Sequence, residues 1–206
     1  MTEIKDIIAK IGNSVKSNWR SAYNDAIELS KFGRNALPDI IETLNDSNSS
    51  FEHKKLLIFS IGEIGDTFAL PHLARILFAN TDDKLLKEKY KALLGLHSDD
   101  ELLGLAMEVN DAFRKLNLNF NDAVNTVEQC ASEGLECIRS GKYDEALKHF
   151  NQYIYITPFN SDAIFGRGVA RHGIGEQLGA CEDWSESASL GNKSAIEFID
   201  KFCKKK

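Results

Sequence analysis

The sequence predicts an all-α fold, an α-α superhelix (solenoid) of stacked helical hairpins closed by a C-terminal capping helix, and three observations carry that expectation. The segment ALPDIIETL (Ala36 to Leu44) returns 33 residues later as ALPHLARIL (Ala69 to Leu77), keeping Ala, Leu, Pro and the final Leu. A second period, of 34 residues, takes over further on, where Gly134, Ala146 and Phe150 recur as Gly168, Ala180 and Trp184. Each unit of the first repeat has a Gly just before its second helix and a Pro in that helix's first turn, which is the asymmetry that backbone sterics favour.

The units follow in order. Residues WRSAYNDAIELSKF and then ALPDIIETL form the first hairpin, with Gly33 in the turn; FEHKKLLIFSIGEI and ALPHLARIL form the second, with Gly65 in the turn. A third, weaker unit reads DKLLKEKYKALLGL and then DDELLGLAMEVNDAFRKL, where Asp99, Asp100 and Glu101 suit a helix amino terminus. It has lost the Ala-Leu-Pro signature, as a terminal repeat often does. The polar stretch NLNFN, Asn117 to Asn121, marks the junction, so two domains are expected, residues 1–117 and 118–206. The stretch YIYITPF alternates like a strand, but the 34-residue register overrides that and makes it helical. Finally NKSAIEFIDKFC gives an amphipathic capping helix with Ala195, Ile196, Phe198, Ile199 and Phe202 toward the core, and Lys204 to Lys206 solvating its end. The whole is expected to make one continuous stack of ten or eleven helices, each hairpin covering its neighbour's apolar face.

Two resemblances follow from these residues. The stretch LLIFSIGEIGDTFALPHLARIL resembles the short HEAT-like repeat of phycobilin lyase relatives, which reads Ala-Leu-Gly-x-Ile-Gly-Asp and then Ala-Leu-Pro-x-Leu; Ser60 departs from it. The likeness covers about residues 15 to 116. In the second half, GKYDEALKHFNQYIYITP resembles the second helix of a tetratricopeptide repeat (TPR), with its Gly-x-Tyr-x-x-Ala turn and closing Pro. Tyr153, Cys130 and Arg171 depart from that pattern.

Composition narrows the function. With 206 residues and 43% hydrophobic content the chain can bury a core. Positions 1–118 hold 15 basic against 18 acidic residues and positions 119–206 hold 10 against 13, so each part carries −3. Neither has the basic excess that neutralises phosphates, which argues against nucleic acid as a partner. No uncharged apolar run approaches the roughly 20 residues of a membrane span, and the start MTEIKDIIAKIG does not read as a secretory signal. A cytoplasmic protein is therefore expected, with Cys130, Cys137, Cys181 and Cys203 as reduced, mostly buried thiols, since no Cys-x-x-Cys pair occurs.

No catalytic constellation stands out. None of the five histidines is followed by Glu, and neither a Walker loop nor a Gly-x-Ser-x-Gly elbow occurs. The glycine-rich FGRGVARHGIGEQLG reads as close helix packing and a turn. The expectation is a non-enzymatic scaffold or adaptor, without cofactor or metal and most simply a monomer, that binds a protein or peptide partner on its concave surface. Alternatives are a prosthetic-group (bilin) lyase or chaperone-like factor, suggested by the HEAT resemblance alone, and an immunity or inhibitor protein for one target; nucleic-acid binding ranks behind them.

The candidate contact residues are the letters that vary while the scaffold repeats. The HEAT resemblance puts the second helix of each hairpin on the concave side, so Asp39 against His72 and Glu42 against Arg75 should face the groove, His72 toward solvent and Glu42 near Arg75 on adjacent rungs. The TPR resemblance puts the first helix there, implying Glu128, Ala131, Leu135 and Ile138 in one unit and Asp162, Phe165, Val169 and His172 in the next. Ala131 and Leu135 cannot hold a carboxylate as the chaperone-tail binders of that family do. The apolar floor around Phe165 is either open to a peptide or covered by the junction with the first half.

Overall fold

The computed structural model describes residues 2–203, which leaves Lys204 to Lys206 outside the described residues. Among the described residues the chain is all-helical, with α1 (Thr2–Ser14), α2 (Trp19–Ser30), α3 (Leu37–Asn45), α4 (Phe51–Ile64), α5 (Leu70–Ala79), α6 (Lys84–Leu94), α7 (Asp99–Lys115), α8 (Phe120–Arg139), α9 (Tyr143–Ile156), α10 (Ser161–Gly173), α11 (Gln177–Ser189) and α12 (Lys193–Phe198), which runs into a π-turn, Ile199–Cys203. Consecutive helices pack on one another as the hairpins of an α-α solenoid. None is long and apolar enough to cross a membrane. The chain divides into two compact units, Met1–Ala123 and Val124–Lys206, the division falling in the first turn of α8.

Local chemistry sets most helix starts. The side chains of Asn18, Ser50, Asp83 and Ser98 accept hydrogen bonds from the backbone N–H groups of Ser21, His53, Leu86 and Glu101 at 3.0 to 3.3 Å, each satisfying a donor that the first turn leaves orphaned. Such a cap contributes about 1 kcal/mol. Pro38 and Pro71 sit in the first turns of α3 and α5, where no backbone donor is needed. The residues that close α4 and α6, Gly65 and Gly95, adopt φ of +73° and +66°, a conformation that costs a side-chain-bearing residue strain.

In the first unit α2, α4 and α7 lie side by side, with α1 on α2, α3 on α4 and α5 on α7. Leu57, Ile58 and Ile61 of α4 are completely buried between them, each burial contributing roughly 1.5 to 3 kcal/mol of transfer free energy. Close approach depends on small residues: a Cβ on Gly62 would stand 3.0 Å from the backbone of Ala112 in α7. The row thus continues into α7, the second helix of the third hairpin, while α6 attaches beside α5. Burial accounts for this, because Leu102, Leu105, Ala106, Val109, Ala112 and Phe113 give α7 a far larger apolar face than the lysine-rich α6. Ser60 stands where the resembled repeat has Ala, and its buried hydroxyl lies 3.1 Å from the Ala26 carbonyl of α2 and 3.0 Å from its own Leu56 carbonyl.

In the second unit α9 packs on α10 and α10 on α11. Gly134, Gly166 and Phe150 meet where α8, α9 and α10 converge: a Cβ on Gly134 would lie 3.0 Å, and one on Gly166 2.3 Å, from the Phe150 ring. Trp184 is the largest fully buried side chain, and a Cβ on Gly168 would stand 2.5 Å from its Nε1. The stretch YIYITPF is helical through Ile156, as the 34-residue register predicts.

Two expectations need correcting. Cys181 and Cys203 are joined by a disulfide, so the thiols are not all reduced; Cys130 is a buried free thiol and Cys137 a half-buried one. The π-turn after α12 folds back against α11 and brings the two sulfurs together, a proximity that spacing along one helix cannot reveal. Ile196 is half exposed rather than in the core, whose apolar contacts from this segment come from Ala195, Phe198, Ile199 and Phe202.

Candidate partner-binding cleft

Two of the varied letters of the opening repeat, Asp39 and Glu42, fall at a cleft in the first unit. Its volume is about 430 Å³ and its walls are Lys5, Ile8 and Ala9 of α1, Asp39, Glu42 and Thr43 of α3, Asp46 after α3, and His53 of α4. Asp39 and Glu42 lie three residues apart, on one face of α3. Lys5, one helix away, reaches both: its Nζ is 3.5 Å from Asp39 Oδ1 and 3.2 Å from Glu42 Oε2. The hydrogen bond to Glu42, then the charges of Glu42 and Asp39, hold the Lys5 ammonium protonated above the usual lysine range.

The other groups are fixed by the backbone. Thr43 donates its hydroxyl proton to the Asp39 carbonyl at 3.0 Å. Asp46 Oδ1 accepts from the Asn48 backbone N–H at 2.9 Å, which lowers its carboxyl below the usual range. His53 is only 8% exposed; burial is the main cause that lowers its pKa, Lys54 adds to this, and a hydrogen bond to the Ile8 carbonyl opposes it. Its Nε2 is buried without a hydrogen-bond partner. Behind the cleft the fully buried Lys54 donates to the Leu44 and Asp46 carbonyls at 2.7 and 2.6 Å, capping α3, and burial brings its pKa down to about 8. Sequence reading did not single out Lys5, His53 or Lys54; the closeness of α1 to α3 and α4 makes them part of the site, and no repeat signal extends to α1.

Glu42 pairs with Lys5, and Arg75 Nη1 donates to Asn45 Oδ1 at 3.4 Å. His72 is half-buried rather than solvent-facing, with its ring 6.5 Å from that of Phe68. Burial, then the charge of Arg75, takes its pKa down to about 4. So Asp39 and Glu42 come together, and His72 and Arg75 lie outside this cleft.

In the second unit Glu128 and Leu135 are exposed, while Asp162 accepts a 2.8 Å hydrogen bond from Asn192 Nδ2. Phe165 packs edge-on against Phe198 at 5.0 Å, and His172 lies 4.6 Å from the Phe202 ring and 2.8 Å through Nδ1 from Gln177 Oε1. The apolar floor expected around Phe165 is thus covered by the chain's own C-terminal segment, an occupant that neither sequence alternative named. Among the described residues no group of His, Cys, Asp and Glu is arranged to hold a metal ion.

Against known proteins the chain is 31% identical over 98 residues to tetratricopeptide repeat protein 36 of Danio rerio, a match that takes in 48% of this chain and 47% of that protein. The chain thus spans about half the length of the curated relative it matches. No family model matches, and no solved structure does either. The similarity and the repeating helical hairpins together support repeats of the tetratricopeptide type in this chain.

Proposed function

We propose that the protein is a non-enzymatic interaction scaffold that binds a protein or peptide partner, with HEAT-like hairpins in the first part of the chain and TPR hairpins in the second. The observation that carries this reading is the cleft: two of the letters that vary between otherwise repeated segments, Asp39 and Glu42, line one concavity on an all-helical repeat framework. The tetratricopeptide relative supports a scaffold role by analogy. The charge of −3 in each part favours a protein partner over nucleic acid. Affinity purification from the source cell with the wild-type chain and with Asp39→Ala/Glu42→Ala tests it. A partner recovered by the first and lost by the second, at equal melting temperature, supports the reading; undiminished recovery by the double variant removes the cleft from it, and turnover of a small substrate by the purified chain removes the scaffold role itself.

A further inference from the structure

Residues 193–203, α12 and the π-turn after it, lie across the second unit as a strap. The strap has little to hold itself in shape: α12 is six residues long, too short to persist alone, and the five of the π-turn adopt a conformation rare in proteins. Of its apolar side chains only Ala195 is buried; Phe198, Ile199 and Phe202 are half-buried and Ile196 is exposed. What it covers is strongly apolar. Phe198 stands edge-on to Phe165 and 5.2 Å from the Trp184 ring, and Phe202 lies 4.6 Å from His172 and 5.7 Å from Trp184, which is completely buried beneath them. The strap is tied to α11 at both sides, through the turn that follows Ser189 and through the bond from Cys203 back to Cys181. Both cysteines are partly exposed, so a thiolate from solution can reach the bond. Gln177 joins bond, strap and floor: its Nε2 donates to the Phe202 carbonyl at 2.8 Å and to Cys181 Sγ at 3.4 Å, and its Oε1 is 2.8 Å from His172 Nδ1.

We propose that the Cys181–Cys203 disulfide is a redox latch: closed, it holds the strap over the aromatic floor of Phe165, His172 and Trp184, and opened by a dithiol reductant it lets the strap lift and uncovers that floor. The chemistry is thiol–disulfide exchange. A thiolate of the reductant attacks one of the two sulfurs, forming a mixed disulfide and releasing the other cysteine, and the second thiol of the reductant then displaces the first cysteine. The chain gains two electrons and two protons as the thiols of Cys181 and Cys203, and the reductant leaves as its own disulfide. With the bond closed the strap can lift only as a loop pinned at both sides. With it open the strap is pinned at one side, and a short segment with few buried contacts is the kind that opens while the rest of its unit stays folded.

Hydrogen–deuterium exchange of the intact chain, read by mass spectrometry in the oxidised form and after reduction with dithiothreitol, tests the latch. Reduction should speed exchange at the strap by about tenfold more than it speeds exchange in α10, and Cys181→Ser/Cys203→Ser should match the reduced chain with or without dithiothreitol. Equal acceleration of the strap and α10 would make the bond a staple of the whole unit rather than a latch. An unchanged strap would show that its other contacts suffice to hold it, and a double-serine variant with the oxidised pattern would separate the opening from the bond. Each of these three results overturns the latch. The cleft of the first unit takes no part in these readouts, so their outcome is separable from that of the scaffold reading.

Discussion

Arg167 grips Asp183 across α10 and α11 with two parallel hydrogen bonds, Nε to Oδ2 at 3.0 Å and Nη2 to Oδ1 at 2.7 Å. Arg171 adds a third contact, its Nη1 2.9 Å from the same Oδ1. The Asp183 side chain is 3% exposed, so the pair is a buried, bidentate one whose partners depend on each other. Arg171 was visible in the sequence as a departure from the TPR pattern, and the carboxylate opposite is the reason an arginine suits that place.

Asp183→Ala leaves two guanidinium groups facing a buried gap. It is expected to cost about 3 kcal/mol, the penalty of an uncompensated charge rather than the net worth of the pair. Urea denaturation followed by the fluorescence of Trp184 measures it; a loss under about 1 kcal/mol would place this contact with ordinary surface pairs.

Close packing gives the second prediction. Gly168→Ala pushes a Cβ to 2.5 Å from Trp184 Nε1, and Gly134→Leu and Ala146→Leu overfill the same kind of helix contact around Phe150. Each is expected to cost roughly 1 to 3 kcal/mol or more. A variant that melts like the parent contradicts the register that aligns Gly134 with Gly168.

Acid should weaken the first unit through its histidines. His72 has its pKa depressed from 6.5 to about 4, so between those values the unfolded chain binds a proton that the folded chain refuses. Stability is therefore full above about pH 6.5 and is lost as pH falls toward 4, and the lowered pKa of His53 acts in the same direction. Between about pH 7 and about pH 4.5 the wild type should lose about 2 kcal/mol more than His72→Gln. Parallel losses in the two proteins would contradict the burial of His72.

The disulfide predicts a thiol count. Denatured without reductant, the protein should show two reactive thiols, Cys130 and Cys137, and four after reduction. Since the bond joins residues 22 apart, reduction should destabilise the second unit by about 3 kcal/mol on the chain-entropy account. Four thiols before reduction would show that Cys181 and Cys203 are not joined.

Much of the fold was legible because repeats make the same local statement twice. Gly65, Pro38 and Pro71 announce their turns and first turns by backbone rules, and Gly134 and Gly168 announce a close contact by recurring against Phe150 and Trp184. What was not legible depends on long-range proximity. Lys5 finds Glu42 because α1 packs beside α3, a closeness that no repeat signal announces. The floor around Phe165, on sequence grounds either open to a peptide or covered by the junction, is covered instead by Phe198, and Phe202 lies against His172; a cap and a ligand present the same apolar chemistry to such a face.

Site-specific photo-crosslinking tests the central claim most directly. A benzophenone amino acid is placed at Glu42, on the cleft, and in a separate protein at Leu178, which is 83% exposed and lies in the second unit. Irradiation in the source cell should give a discrete covalent adduct from position 42 and none of the same mass from position 178. No adduct at 42, or the same adducts from both positions, would contradict a partner-binding scaffold that works through this cleft.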